Sequence, residues 1–159
     1  MEIIKLPTFL DHRGSFTPLK LDLLGMNWNQ CSISYNQKKF TFRGMHYQSV
    51  YPQTKFIKVV KGSIIDFMID LKTGDVDFCE VDEQHAVLIP NDKAHGFLTL
   101  EDETFVTYFV DAPYSPENEK SIPWFSNKII KDEILKYLGD SELIISEKDN
   151  LNTSTGFFI

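Results

Sequence analysis

The chain has 159 residues, with 16 Lys and Arg against 23 Asp and Glu for a net charge of −7, and is 42% hydrophobic and 13% aromatic. That length builds one substantial core, and the apolar share argues against a disordered chain, so a single domain over residues 1–159 is expected. The negative overall field repels polyanions and argues against nucleic acid or an anionic membrane as partner, although a local group of Arg and Lys can still hold a small anion within a Debye length of about 8 Å.

The opening Met1-Glu2-Ile3-Ile4-Lys5-Leu6-Pro7 lacks the apolar stretch of a secretory signal, and no run reaches membrane-spanning length, so a cytoplasmic protein is expected. Cys31 and Cys79 are isolated, without CxxC spacing, and read as two buried free thiols. From residue 30 onward, short aromatic and β-branched runs alternate with period two between Gly, Pro, Asn and Asp punctuation. They predict strands over 30–35, 40–48, 55–60, 63–70, 85–89, 95–100 and 104–110, with Lys61-Gly62 and Glu101-Asp102-Glu103 short enough to be hairpin turns. Residues 112–124 carry Pro113, Pro116 and Pro123 and read as a stiff loop. Ile130, Ile134, Leu135 and Leu138 then recur at helical spacing between a cap at Asn127 and Gly139. The expectation is a mainly β protein, a sandwich or jelly roll, with a short C-terminal helix. Asn152-Thr153-Ser154 matches a glycosylation pattern, which is read as chance in a chain that is not secreted.

No nucleotide-binding glycine loop, HExxH or Cys/His quartet is present, so chemistry must come from scattered side chains. Arg43 and His46 interrupt an apolar strand, and strict alternation puts His46 in phase with Phe40 and Phe42, facing inward unless Gly44 introduces a bulge. A core histidine with a structural hydrogen bond fits His46 as well as a ligand-facing one. Lys55 shares a face with Ile57 and Val59; it either snorkels at the strand end, the simpler reading, or meets an anion in a cavity. Tyr108, in phase with Val106 and Val110, carries its hydroxyl inward, where a backbone hydrogen bond is the default. Arg13, His95, Glu119 and Asp149 taken singly fit ordinary surface residues. A jelly-roll metal site built on an HxH pair finds only His46-Tyr47-Gln48, and with four histidines in all no metal site is expected.

Taken together and in order, these segments resemble the dTDP-4-dehydrorhamnose 3,5-epimerase family. The resemblance is carried by Asp11-His12-Arg13-Gly14-Ser15-Phe16, Arg43-Gly44-Met45-His46-Tyr47-Gln48, Lys55 through Gly62, Ile89-Pro90 through Ala94-His95-Gly96-Phe97, Tyr108 with Tyr114-Ser115-Pro116, and Ser146-Glu147-Lys148-Asp149, across nearly the whole chain. It implies a cupin-type double-stranded β-helix acting on a nucleotide-diphospho-4-keto-6-deoxyhexose by epimerisation at C3, C5 or both, without a cofactor, in a homodimer. It implies His46 as base, Asp149 as the carboxylate orienting it, Tyr108 as acid on the opposite face and Lys55 near the enolate oxygen. Arg13, Gln30, Arg43, His95, Glu119 and Lys148 fall at substrate- and nucleotide-binding positions. Pro18 and Pro113 stand where the family carries residues that hold the nucleotide base. A mono-epimerase or 3,4-ketoisomerase of the same fold, or a non-catalytic sugar-nucleotide-binding cupin, are the competing readings. The general chemistry agrees with the first: a proton next to a ketone becomes acidic when a base near neutral pKa, a positive charge at the oxygen and an acid across the ring are assembled together.

Overall fold

The period-two runs pair into two antiparallel sheets in the computed structural model, which describes residues 1–12 and 14–150. One sheet orders β1 (Glu2–Lys5), β9 (His85–Ile89), β6 (Lys55–Lys61), β11 (Thr104–Val110) and β4 (Gln30–Asn36). The other runs β12 (Glu119–Ser121), β5 (Thr41–Gln48), β10 (Lys93–Thr99), β7 (Ile64–Asp70) and β8 (Val76–Val81), with the two-residue β13 (Ile144–Ile145) lying parallel beside β5. A hairpin of β2 (Phe9–Asp11) and β3 (Gly14–Phe16) pairs with neither sheet. This is the expected jelly roll, and α1 (Lys128–Leu138) is the expected helix, its Asn127 side chain accepting from the N–H groups of Ile129 and Ile130. Among the described residues, no helix is long and apolar enough to cross a membrane.

The structure corrects three local expectations. Lys61-Gly62 and Glu101-Asp102-Glu103 close no hairpins: β6 pairs with β9 and β11 while β7 pairs with β8 and β10, so the chain changes sheet at both turns. Alternation reports which face a residue takes and says nothing about which strand lies alongside. The segment Val76–Val81, which breaks its alternation at Phe78-Cys79, is nevertheless a strand, held at the sheet edge by register with β7. Cys31 is exposed rather than buried, because it lies on the edge strand β4, and Cys79 is half-buried; both are free.

Three apolar clusters hold the layers. Ile57, Val59, Ile64, Met68, Val87, Ile89, Phe97 and Val106 fill the space between the sheets. On the far side of the second sheet, Phe42, Met45, Ile65, Phe67 and Leu98 lie under Ile130, Ile134 and Leu138 of α1, each of which contributes about 2 kcal/mol by burial. Leu6, Leu19, Leu21 and Trp28 cover Phe56 and Ala86 on the outer face of the first sheet.

One irregularity positions the site. His95 sits opposite His46 but Phe97 sits opposite Arg43, so β5 carries one residue more than β10 across this stretch, a β-bulge around Gly44. The extra residue shifts the phase. Phe42 and Met45 face the helix, whereas Arg43 and His46 face the space between the sheets. His46 is therefore not in phase with Phe42, as strict alternation requires, and the bulge is what turns it inward. The strands come so close that a Cβ on Gly96 lies 2.8 Å from the Arg43 carbonyl oxygen and 3.0 Å from the Gly44 Cα. Replacing Gly96 by Ala is expected to destabilise the protein by about 1–3 kcal/mol in urea unfolding, because backbone must move to admit the methyl; an unchanged midpoint contradicts the tight crossing.

Candidate functional site

At the open end of the space between the sheets, the apolar filling gives way to a cavity of about 350 Å³ whose wall includes Arg43, His46, Lys55, His95, Tyr108, Glu119 and Asp149. A larger hollow of about 470 Å³ beside the β2–β3 hairpin contains no His, Lys or Tyr. Among the described residues that hollow offers one titratable group, Asp11, whereas the first cavity gathers several of both signs.

His46 and Asp149, 103 residues apart, meet with Nε2 and Oδ1 at 2.6 Å. The carboxylate arrives because β13 docks beside Thr41 and Phe42 at the start of β5, and a turn closed by the Asp149 N–H on the Ser146 carbonyl then folds it back. Asp149 Oδ2 also accepts the Gly44 N–H at 3.3 Å, tying the carboxylate to the bulge that turns His46. Burial pushes the Asp149 carboxyl up, yet the His46 ring, the Gly44 N–H and the Lys148 charge outweigh it, so the group lies below the usual carboxylate value. Because a carboxylate only accepts, Nε2 carries the proton of this contact and Nδ1 is left as the basic nitrogen of His46.

Lys55, at the start of β6, donates from Nζ to the His46 carbonyl at 3.3 Å. Burial lowers its pKa to about 8, partly countered by the negative charges of Glu119 and Asp66. The residue is half-buried, with Nζ turned to the His46 backbone at the cavity wall. Tyr108 stands on β11, beside the Lys55 strand β6 and in the sheet that faces His46; burial drives its phenol well above its ordinary value, with Arg43 pulling the other way. Its ring is edge-on to His95 at 6.3 Å between centroids. His95 is 3% exposed and pairs through Nε2 with Asp66 Oδ2 at 2.8 Å, so the surface reading of that histidine is corrected.

Arg43 is fixed at one end, its Nε donating to Asn36 Oδ1 at 2.8 Å, and among the described residues no hydrogen bond engages its terminal nitrogens. Gln30 lines the cavity and donates to Ser32. Glu119 forms an ion pair with Lys148 and accepts the Tyr114 hydroxyl at 3.2 Å, joining three side chains at the rim. Lys148 is thus brought to the site through Glu119. Arg13 lies outside the described residues. Sequence reasoning missed Asp66, Asn36 and Gln53; the one signal for Asp66 was its phase with Ile64 and Met68, a carboxylate on an inward face.

Pro18 lines a separate apolar hollow with Leu6, Leu19 and Phe56 rather than this cavity. Pro113 is held at the rim loop, its carbonyl accepting from Gln48 at 3.2 Å while Gln48 Oε1 accepts the Ser115 N–H. Tyr114, next to it, does line the cavity.

Comparison with known proteins follows the same lines. Residues 1–155 match the family model described as dTDP-4-dehydrorhamnose 3,5-epimerase. A relative of that name from Methanothermobacter thermautotrophicus is 38% identical over 114 residues, 67% of this chain and 60% of the relative's length. Among solved structures, dTDP-4-dehydrorhamnose 3,5-epimerase from Bacillus anthracis, with TDP and pyrophosphate bound, superposes with a TM-score of 0.79 at 31% identity, covering 94% of this chain and 90% of that one. The Legionella pneumophila dTDP-6-deoxy-D-glucose-3,5-epimerase in complex with dTDP-4-keto-L-rhamnose gives 0.78 at 28% identity, covering 92% and 83%.

The cavity makes Lys55 titrate early. Followed by NMR of the Nζ-adjacent methylene, Lys55 is expected to lose its proton with a midpoint about 8: ammonium below, neutral amine above. A midpoint at the ordinary lysine value of about 10.4 contradicts its burial.

Proposed function

The chain belongs to the dTDP-4-dehydrorhamnose 3,5-epimerase family, and from that premise we propose that its cavity epimerises C3, C5 or both of a nucleotide-diphospho-4-keto-6-deoxyhexose through an enolate. The single observation that carries the reading is the convergence of a carboxylate-held imidazole, a half-buried ammonium and a half-buried phenol on one cavity.

Each group has a role that its surroundings suit. His46 Nδ1 takes the proton next to the ketone, while Asp149 fixes the tautomer and stabilises the imidazolium that forms. Lys55, charged below about pH 8, neutralises the negative charge that develops on the ketone oxygen. Burial keeps the Tyr108 phenol protonated, so it returns a proton to the opposite face of the ring. The substrate's own ketone is the electron sink, and the inversion consumes no redox equivalents. Arg43, held through Nε by Asn36, and the Lys148–Glu119 pair at the rim suit the diphosphate and the sugar. Gln30 and Tyr114 line the cavity where a nucleoside enters.

The test is deuterium uptake from heavy water into a 4-keto-6-deoxy sugar nucleotide, with dTDP sugars tried first because the relatives bear that name. His46→Asn is expected to lower exchange by about 10²–10⁴-fold, whereas Tyr108→Phe retains exchange and loses inversion. The carbon that acquires deuterium separates double from single epimerisation. No uptake with any such sugar overturns the reading. The alkaline limb of kcat/KM, which reports the free protein, is expected at about pH 8 as Lys55 loses its charge.

A homodimer belongs to the same proposal. Phe9 (62% exposed), Leu10 (80%) and Phe16 (67%) stand out from the β2–β3 hairpin, and Ile33 (71%) from the edge strand β4, more apolar surface than a monomer keeps uncovered. Sedimentation velocity at micromolar concentration should give a dimer, and a monomer refutes it.

A further inference from the structure

Asp66 is wholly buried on β7, on the same face as Ile64 and Met68, where every near neighbour in the strand is apolar. A carboxylate taken out of water is costly, and a buried ion pair is often no more stable than apolar residues of the same volume. Stability alone therefore gives no reason for a carboxylate at this position. Its Oδ2 lies 2.8 Å from His95 Nε2, across the β7–β10 pairing, and its Oδ1 has no hydrogen-bond partner among the described residues.

We propose that Asp66 is a positioning residue of the cavity, one that holds the His95 ring so that Nδ1 is the nitrogen offered to the sugar and that supplies the buried negative charge facing Lys55. The kinetic consequences rest on the epimerase reading above; the geometry does not. Since the carboxylate accepts from Nε2–H, Nδ1 is the one ring nitrogen of His95 left for a ligand. His95 lines the cavity with its ring edge-on to Tyr108, so fixing the ring fixes a polar atom close to the phenol. The titratable groups that face Asp66 are His95 on β10, Lys55 on β6, Tyr108 on β11 and Cys79 on β8. Its negative charge favours the ammonium of Lys55 and disfavours a phenolate at Tyr108. Both effects keep the electrophilic cation and the proton donor in the states the reaction uses. The cavity then contains two imidazoles, each oriented by its own carboxylate: His46 by Asp149 and His95 by Asp66.

The test uses Asp66→Asn, which keeps the shape and removes the charge; the amide can also turn its NH2 toward His95 and reverse the tautomer. In the native protein, long-range ¹H–¹⁵N spectra of the imidazoles, with His95 identified by its absence in His95→Asn, are expected to show Nε2 protonated. In Asp66→Asn that signature is lost, the alkaline limb of kcat/KM moves to lower pH, and deuterium exchange falls about tenfold or more while KM changes by less than about threefold. An unprotonated Nε2 in the native protein overturns the proposal, as does an Asp66→Asn protein with native exchange, KM and pH limb. If the variant does not melt cooperatively, the native ring spectrum alone decides. If the native protein exchanges deuterium with no 4-keto sugar, the epimerase reading fails, and the His95 spectrum and the Lys55 titration in Asp66→Asn still decide the role of Asp66.

Discussion

At the crossing of Gly44 and Gly96 the backbones of β5 and β10 approach more closely than two residues with side chains could, and one surplus residue in β5 is absorbed there. Without that surplus, His46 would share the helix-facing side with Phe42 and be lost in the hydrocarbon layer under α1. With it, His46 and Arg43 turn into the space between the sheets, and the Gly44 N–H becomes available to the carboxylate of Asp149. A packing device and a chemical one are thus the same few atoms. Even a methyl group at either glycine perturbs both.

The interior then divides by polarity along the barrel axis. At one end Ile57, Val59, Ile64, Val87 and Val106 exclude water entirely; at the other, charged groups collect within reach of solvent. The apolar packing is what gives those charges their strength, since desolvation makes the Lys55 amine a weaker base and strengthens the electrostatic interactions its ammonium makes. Lys55 and Tyr108 are driven in opposite directions on the pH scale by the same burial, because the charged form is the acid of one and the base of the other. The two carboxylates, Asp66 and Asp149, are the counterweights that keep so many buried polar groups compatible with a folded chain.

How much of this was legible beforehand depended on whether a feature is local. Seven strands and the helix were readable because alternation and an i, i+4 pattern are imposed by each segment's own burial, and the Asn127 cap because it acts within three residues. The sheet-crossing turns were misread as hairpins, since Lys61-Gly62 has the same chemistry whether its strands pair or part. The inward phase of His46 required the bulge, which Gly44 only hinted at. The contact between His46 and Asp149 has no signal in residue spacing across 103 positions and came into view through family resemblance. Asp66 escaped both routes: no motif marks it, and a lone Asp in an apolar strand does not announce its partner.

The segment that delivers Asp149 is attached to the barrel through a short stretch of chain, with Leu143 and Ile145 packed on the helix-side core. Strand β13 is two residues long, pairs among the described residues with β5 alone, and leads into a turn closed on Ser146. A short attachment of this kind opens at far lower free energy than the strands of the barrel, which share a continuous core. His46 and Asp149 therefore belong to cooperative units of different strength. Release of β13 would part Asp149 from His46 and leave the pairing within both sheets untouched, so the integrity of this contact and that of the barrel are separable properties of the fold.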